Sequence, residues 1–355
     1  MRAHKYFWPL FLLLQFVVLQ LLGLFSPGVE NYYSRGLYPL ISSATRYVLN
    51  FIPFSVGDCL YICLILFGCY KAWMLRQRPV PLAQVALKLT RILALGFLAF
   101  NILWGINYVR VPLKKKMNAE HPYTRQELEA FTIRLIQRTN ILHLSITGNR
   151  NEKVVMPFSK TDSHAKVLEG YERLAADYPE YAHDGRSVKS SLLSVPLSYM
   201  GFAGYLNPFT GEAQINRLLP DYSYPATAAH EMAHQIGIAS ESEANFVGYL
   251  AAVSAENRFI QYSGYCMALR YCINALEIEN EDEIDRWKEK INPGILVNFE
   301  ESKAFWSRYD TFLERGFHWI YDRFLKINQQ EDGIDGYSRF VDLLVHYHIN
   351  HPFKE

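Results

Sequence analysis

Apolar and polar positions divide this chain into two unlike parts. Tyr6 to Val29 contains no charged residue, and about 20 apolar residues suffice to cross a bilayer as a helix. A second apolar run extends from about Phe51 to Leu75, and a third covers about 90–109. Three transmembrane helices are therefore predicted within residues 1–110. The first run is too long for the apolar core of a signal peptide. No small-residue cleavage site follows it, so an uncleaved anchor is expected. Asp58 and Lys71 fall near the ends of the second run, where such charges reach interfacial water. Trp104 and Tyr108 fall where an interfacial aromatic belt is expected.

After the linker VPLKKKMNAEHP the pattern becomes that of a water-facing domain, residues 111–355. Thr124-x-x-Glu127 is a capping box that opens a helix reaching about Asn140. Residues 163–176 carry Ala165, Val167, Leu168, Tyr171 and Leu174 among the apolar positions of a second helix. Val188 to Tyr205, punctuated by Gly201, Gly204 and Gly211, reads as short strands, with Gln214-Ile215-Asn216 as a last one. Beyond Pro225 the chain reads mainly as helix. The fold class is α+β: a three-helix transmembrane region, then a mainly helical domain with a small β-sheet.

Composition narrows the function. Half of the 355 residues are hydrophobic, which excludes a disordered chain, and a formal charge of +1 gives no case for a nucleic-acid partner. The five cysteines form neither a disulfide framework nor a cysteine metal site and read as small buried residues. Arg2 and Lys5 precede the first span, and Lys71, Arg76, Arg78, Lys88 and Arg91 surround the second connection. The first connection has only Arg35 and Arg46, which favours an inside N-terminus and a domain outside the cytoplasm. Lys114, Lys115 and Lys116 argue the other way.

The candidate chemistry lies in the helix predicted after Pro225. His230 and His234 are four apart and project from one face, so both imidazoles can bind one zinc ion. Glu231 stands beside them, placed to take a proton from a water molecule. Gly237 suits the end of this helix, and Ser240-x-x-Glu243 is a capping box that opens another. A catalytic zinc needs a third protein ligand, and Glu241 and Glu243 compete for the role. The box engages Glu243 and leaves Glu241 free, which favours Glu241. Asn245, one turn further on the same face, can orient a ligand through a hydrogen bond.

HExxH followed by ExxxN resembles the gluzincin metallopeptidases. There a glutamate on a second helix completes the zinc site, and an Asp or Asn four residues later supports it. The layout also resembles a bacterial multi-span membrane family described as a domain of unknown function. It shares the apolar N-terminal region, a YMGFAGYLNPFTGEAQIN-like segment, the HExAHQxG core and an ESEANF-like helix. The resemblance covers nearly the whole chain and implies a zincin-like domain with Zn2+ as cofactor. One departure stands out: only six residues separate His234 from Glu241, against about twenty in many gluzincins. The compact spacing is more like that of the metzincins, whose third ligand would fall at Ser240, a poor substitute for histidine.

The segment ahead of the motif resembles the upper strand of zincin peptidases, which pairs with an extended substrate. Tyr199, Gly201, Phe202, Gly204, Asn207 and Glu212 are candidates to line that cleft; the alternative is a glycine-rich hairpin. Tyr337 and Arg339, in a glycine-bounded stretch near the C-terminus, are candidates to stabilise a developing oxyanion. His143 and His318 are lone histidines on apolar helical faces, and His346 and His348 lack the ligand spacing. The expected function is that of a membrane-anchored, zinc-dependent hydrolase, in the first place a peptidase, acting on a peptide or protein at the membrane surface. The alternative is a zinc-stabilised, non-catalytic scaffold of a membrane or envelope complex.

Overall fold

The structure is a computed structural model that describes residues 4–119, 121–279, 284–327 and 337–353. Three of its helices are long and apolar enough to cross a membrane: Tyr6–Gly23, Val56–Gln77 and Leu82–Leu103. Leu13, Leu64, Phe67, Ile92 and Leu93 are exposed on their surfaces, and so large an apolar surface calls for a non-aqueous partner. Gln15 Nε2 donates to the Ala94 carbonyl at 3.2 Å, and the Arg91 guanidinium lies over the Trp8 ring. The first and third helices are therefore parallel.

Several boundaries depart from the expected ones. The first long helix ends at Gly23. The chain then folds through a π-helical stretch, Val29–Leu37, into the helix Tyr38–Leu49. The third apolar helix begins at Leu82 and so contains Lys88 and Arg91. Trp104 is buried and packs edge-on against Tyr38 and Tyr108, with ring centroids 5.7 and 6.3 Å away. It thus belongs to the protein interior and not to an outer belt. Cys63 and Cys69 are exposed on the second apolar helix, contrary to the expected burial, whereas Cys266 and Cys272 are buried.

The remainder is mostly helical around one core that includes Phe131, Tyr171, Met232, Phe246, Tyr249 and Phe340. The capping box at Thr124 and Glu127 forms both of its bonds, and the helix it opens, Arg125–Thr147, runs beyond Asn140 to end at Gly148. The next helix spans Lys160–Asp177. A three-stranded sheet has the order β1-β3-β2, with β1 Val188–Ser190, β2 Gly204–Leu206 and β3 Ala213–Ile215. β3 pairs parallel with β1 and antiparallel with β2, which leaves β2 at an edge. The expected run of strands is interrupted by a helix, Ser194–Tyr199. Pro196 falls in its first turn, where the missing N–H is harmless, whereas in a strand it would break the ladder.

The sheet is tied to the second apolar helix by two buried carboxylates. Asp58 does not reach interfacial water. It is fully buried and accepts hydrogen bonds from Ser191 Oγ (2.9 Å), the Leu192 N–H (2.6 Å) and the Tyr205 hydroxyl (2.5 Å). Glu212 accepts from the Val56 and Gly57 N–H groups at 3.1 and 2.6 Å and pairs with Lys189 at 2.6 Å. It therefore caps the helix N-terminus, where a negative charge is favoured, and does not line a cleft.

Candidate metal centre

The motif lies on the helix Tyr224–Gln235, with Pro225 in its first turn. Gly237, at φ +88°, turns the chain out of it. The next helix, Glu241–Ser254, packs against the motif helix through small side chains, among them Ala229, Ala233, Ala244 and Gly248. A Cβ at Gly248 would stand 2.8 Å from the His230 backbone nitrogen. Only glycine allows this approach, and the approach is what lets so short a connection return Glu241 to the histidines.

Three ligand atoms converge. His230 Nε2 and His234 Nε2 are 3.0 Å apart. Glu241 Oε2 lies 3.2 Å from the first and 3.7 Å from the second. Tetrahedral ligands on zinc stand about 3.3 Å apart, from Zn–N bonds of about 2.0–2.1 Å. The protonation pattern agrees. His234 Nδ1 donates to the Ile238 carbonyl at 2.6 Å, and His230 Nδ1 to Asn245 Oδ1 at 2.8 Å. Asn245 Nδ2 in turn donates to the Tyr271 hydroxyl. With each Nδ1 acting as donor, neutral rings would turn both Nε2 lone pairs towards a shared cation. Two such nitrogens and a carboxylate facing one another could hold a metal cation, and the donor set is of a kind that zinc accepts.

Glu231 is buried beside this cluster, and its Oε2 accepts no hydrogen bond among the described residues. Burial pushes its pKa up; the two histidines oppose this and the Glu241 charge adds to it, leaving the group at about 7. Burial alone would lower the pKa of His234. The hydrogen bond and charge of Glu241, with help from Glu231 and the Ile238 carbonyl, outweigh it and raise the group to about 9; the same negative charges that favour a proton on His234 favour a metal cation in its place. β2 passes directly over Glu231: a Cβ at Gly204 would stand 2.6 Å from Oε1.

The walls come from distant parts of the chain. Tyr321 donates its hydroxyl to Glu241 Oε1 at 2.8 Å, so one oxygen of that carboxylate is held and the other faces the histidines. Burial and the Glu241 charge hold the Tyr321 hydroxyl protonated. Trp104 packs edge-on against the His234 ring at 6.0 Å. The turn after the motif helix is clasped by Arg110, which donates to the Gly237 carbonyl (2.7 Å) and pairs with buried Glu30 (2.8 Å). Tyr38 and Ser42 both donate to the Gln235 carbonyl.

The other expected residues are distributed as follows. Ser240 takes the N-cap position, but its side chain makes no capping bond. Glu243 is not turned back towards it and instead accepts from the Leu113 N–H at 2.6 Å. Phe202 packs edge-on against Tyr321, with centroids 5.0 Å apart, and Tyr199 against Tyr309. Gly201 lies against Glu314. Asn207 is buried and accepts from the Phe209 and Thr210 N–H groups, so it shapes the β2–β3 turn. Arg339 lies within electrostatic reach of Asp342, which accepts from the Tyr123 N–H. Tyr337 opens the last helix; its side chain, and the loop glycines before it, lie outside the described residues. His143 is buried, bridging the Glu152 carbonyl and Asn292. Tyr321, Trp104 and the clasp at Arg110 were not singled out for the site. Tyr321 sits in an amphipathic helix, Phe312–Ile327, whose periodicity was the available signal.

Fold and cluster together define a mostly helical protein with three apolar N-terminal helices and a candidate metal centre. The chain matches the family described as "Protein of unknown function (DUF3810)" over residues 33–345 and belongs to it. Comparison with curated proteins found no match, and comparison with solved structures found none.

Proposed function

We propose that this chain is a membrane-anchored, zinc-dependent hydrolase of zincin type, most simply a peptidase. One observation carries the reading: three lone-pair acceptors, His230 Nε2, His234 Nε2 and Glu241 Oε2, converge beside a buried carboxylate with an unsatisfied oxygen. His230, His234 and Glu241 would hold the ion. When bound, zinc supplies Lewis-acid polarisation and lowers the pKa of water to about 7. Glu231 Oε2 accepts the proton of the attacking water and delivers it to the leaving amine. Asn245 and the Ile238 carbonyl keep the two rings in the ligating tautomer, and Tyr321 orients Glu241. The edge strand β2 offers an unpaired backbone beside Glu231, the place where an extended peptide can add a strand. A structural metal site has no use for an unligated buried glutamate at that position, which disfavours the scaffold reading.

The charges on the apolar helices support an orientation in the membrane. Lys71, Arg76, Arg78, Lys88 and Arg91 lie towards the end of the apolar helices remote from Trp104 and the metal cluster. By the positive-inside rule this favours that end in the cytoplasm and the site outside it, at the cell-membrane surface. The test uses the purified full chain with a peptide library, wild type against Glu231→Gln. Hydrolysis by the wild type, lost on chelation and reduced about 100-fold or more in the variant while metal content is kept, supports the reading. Equal rates in the two proteins would remove it.

A further inference from the structure

We infer that the helix Phe312–Ile327 is an interfacial helix that seats one of its faces in the lipid of the same bilayer the apolar helices cross. The helix has three faces. One faces the protein: Leu325 is fully buried, and Tyr321 reaches Glu241. A second carries Leu313, Phe317, Ile320 and Phe324, at 44, 37, 56 and 37% exposure. Their spacing of four, three and four residues aligns them as one continuous stripe. The third is polar, with Arg315, His318, Asp322 and Lys326, the last two paired at 2.8 Å.

What covers the apolar stripe is indicated at its end. Phe324 packs edge-on against Phe100, in the last turn of the third apolar helix, with centroids 5.9 Å apart. It also meets Tyr108, just beyond that helix. The stripe is thus continuous with the surface that those helices present to lipid, at the level where the third one ends. Trp319, 63% exposed with Arg323 over its ring, adds an amphipathic side chain of the kind that settles at a membrane interface. Because the same helix holds Tyr321 on Glu241 and Phe324 on Tyr108, its seat in the lipid fixes one wall of the metal cluster. A substrate reaching β2 then approaches along the membrane surface.

The test is spin-label accessibility in the full chain, with Cys59, Cys63 and Cys69 replaced by alanine and the chain placed in nanodiscs of phosphatidylcholine and phosphatidylglycerol. One nitroxide goes at Ile320→Cys, a second at Phe317→Cys and a reference at Arg315→Cys. The expected result is high collision with oxygen and several-fold lower collision with a water-soluble nickel chelate at the first two positions than at the reference. Equal nickel access at all three positions would overturn the inference, because the stripe then faces water. Shielding from both reagents would also overturn it, because the stripe is then covered by protein. Dipolar broadening only in discs holding two chains would identify that cover as a second copy. Neither readout depends on metal or turnover, so the inference and the proposed activity fail separately.

Discussion

Tyr321 and Glu241, 80 residues apart in the chain, are joined by a hydrogen bond of 2.8 Å. The bond divides the work of one carboxylate: Oε1 is held by the phenol, and Oε2 is left facing His230 and His234. Groups that orient a ligand in this way typically contribute about 10- to 100-fold in metal affinity. Tyr321→Phe is therefore expected to weaken zinc binding by about that factor while leaving the fold intact. Competition with a fluorescent chelator measures it, and an unchanged affinity would show that the phenol has no orienting role.

Glu241 and Glu243 are two residues apart with opposite commitments. Glu241→Gln is expected to abolish stoichiometric zinc, because a neutral amide is a poor ligand for a divalent ion. Glu243→Gln keeps an acceptor for the Leu113 N–H and should retain the metal. Elemental analysis of the two purified variants separates them; metal loss in the second alone would reverse the assignment.

Under the proposed function, a substitution at Gly204 would separate metal binding from turnover. A methyl group there meets Glu231 Oε1 at 2.6 Å and the Gln214 carbonyl at 2.9 Å, so either β2 or the glutamate must shift. Gly204→Ala is expected to bind zinc normally and to lose at least tenfold in kcat/KM, since misplacing a proton-transfer group by about 1 Å is enough for that. A variant with unchanged kinetics would place the reacting groups elsewhere.

Glu30 gives a pH signature. Burial alone would raise its pKa, but Arg110 and Lys116 outweigh burial and hold it at about 2. An unfolded glutamate titrates near 4.3 or so, so the folded value is depressed. Its stabilising contribution is complete above the unfolded value and lost as the pH falls towards 2. Glu30→Gln should cost about 3 kcal/mol near neutrality, by leaving the largely covered Arg110 guanidinium without its counter-charge. The gap from wild type should narrow between about pH 4 and pH 2. Thermal unfolding in detergent across that range tests both parts; a gap independent of pH would assign the effect to packing.

Local chemistry was legible in the sequence, and long-range packing was not. The apolar runs, the capping box at Thr124 and the helix end at Gly237 are all decided by neighbours within a few residues, and their types show it. Glu241 was preferred over Glu243 for a reason that did not hold. Glu243 is occupied by the Leu113 backbone, 130 residues away, and not by a local box at Ser240. Asp58 and Glu212 look like an interfacial charge and a cleft residue because their partners, Tyr205 and Ser191 for one and the Val56 and Gly57 amides for the other, lie far off in the chain. Tyr321 was missed for the same reason. No spacing rule links it to the motif, and only the folding back of its helix does.

The clasp at Arg110 has a further consequence. Arg110 grips the turn that follows the motif helix, while Trp104 and Tyr38 form the wall behind His234. All three belong to the stretch that a cut at residue 110 would remove. Proteolytic release of residues 111–355 would therefore strip away one side of the candidate metal centre. Anchor and candidate site are a single object, and under the proposed function the protein would work only where it is moored.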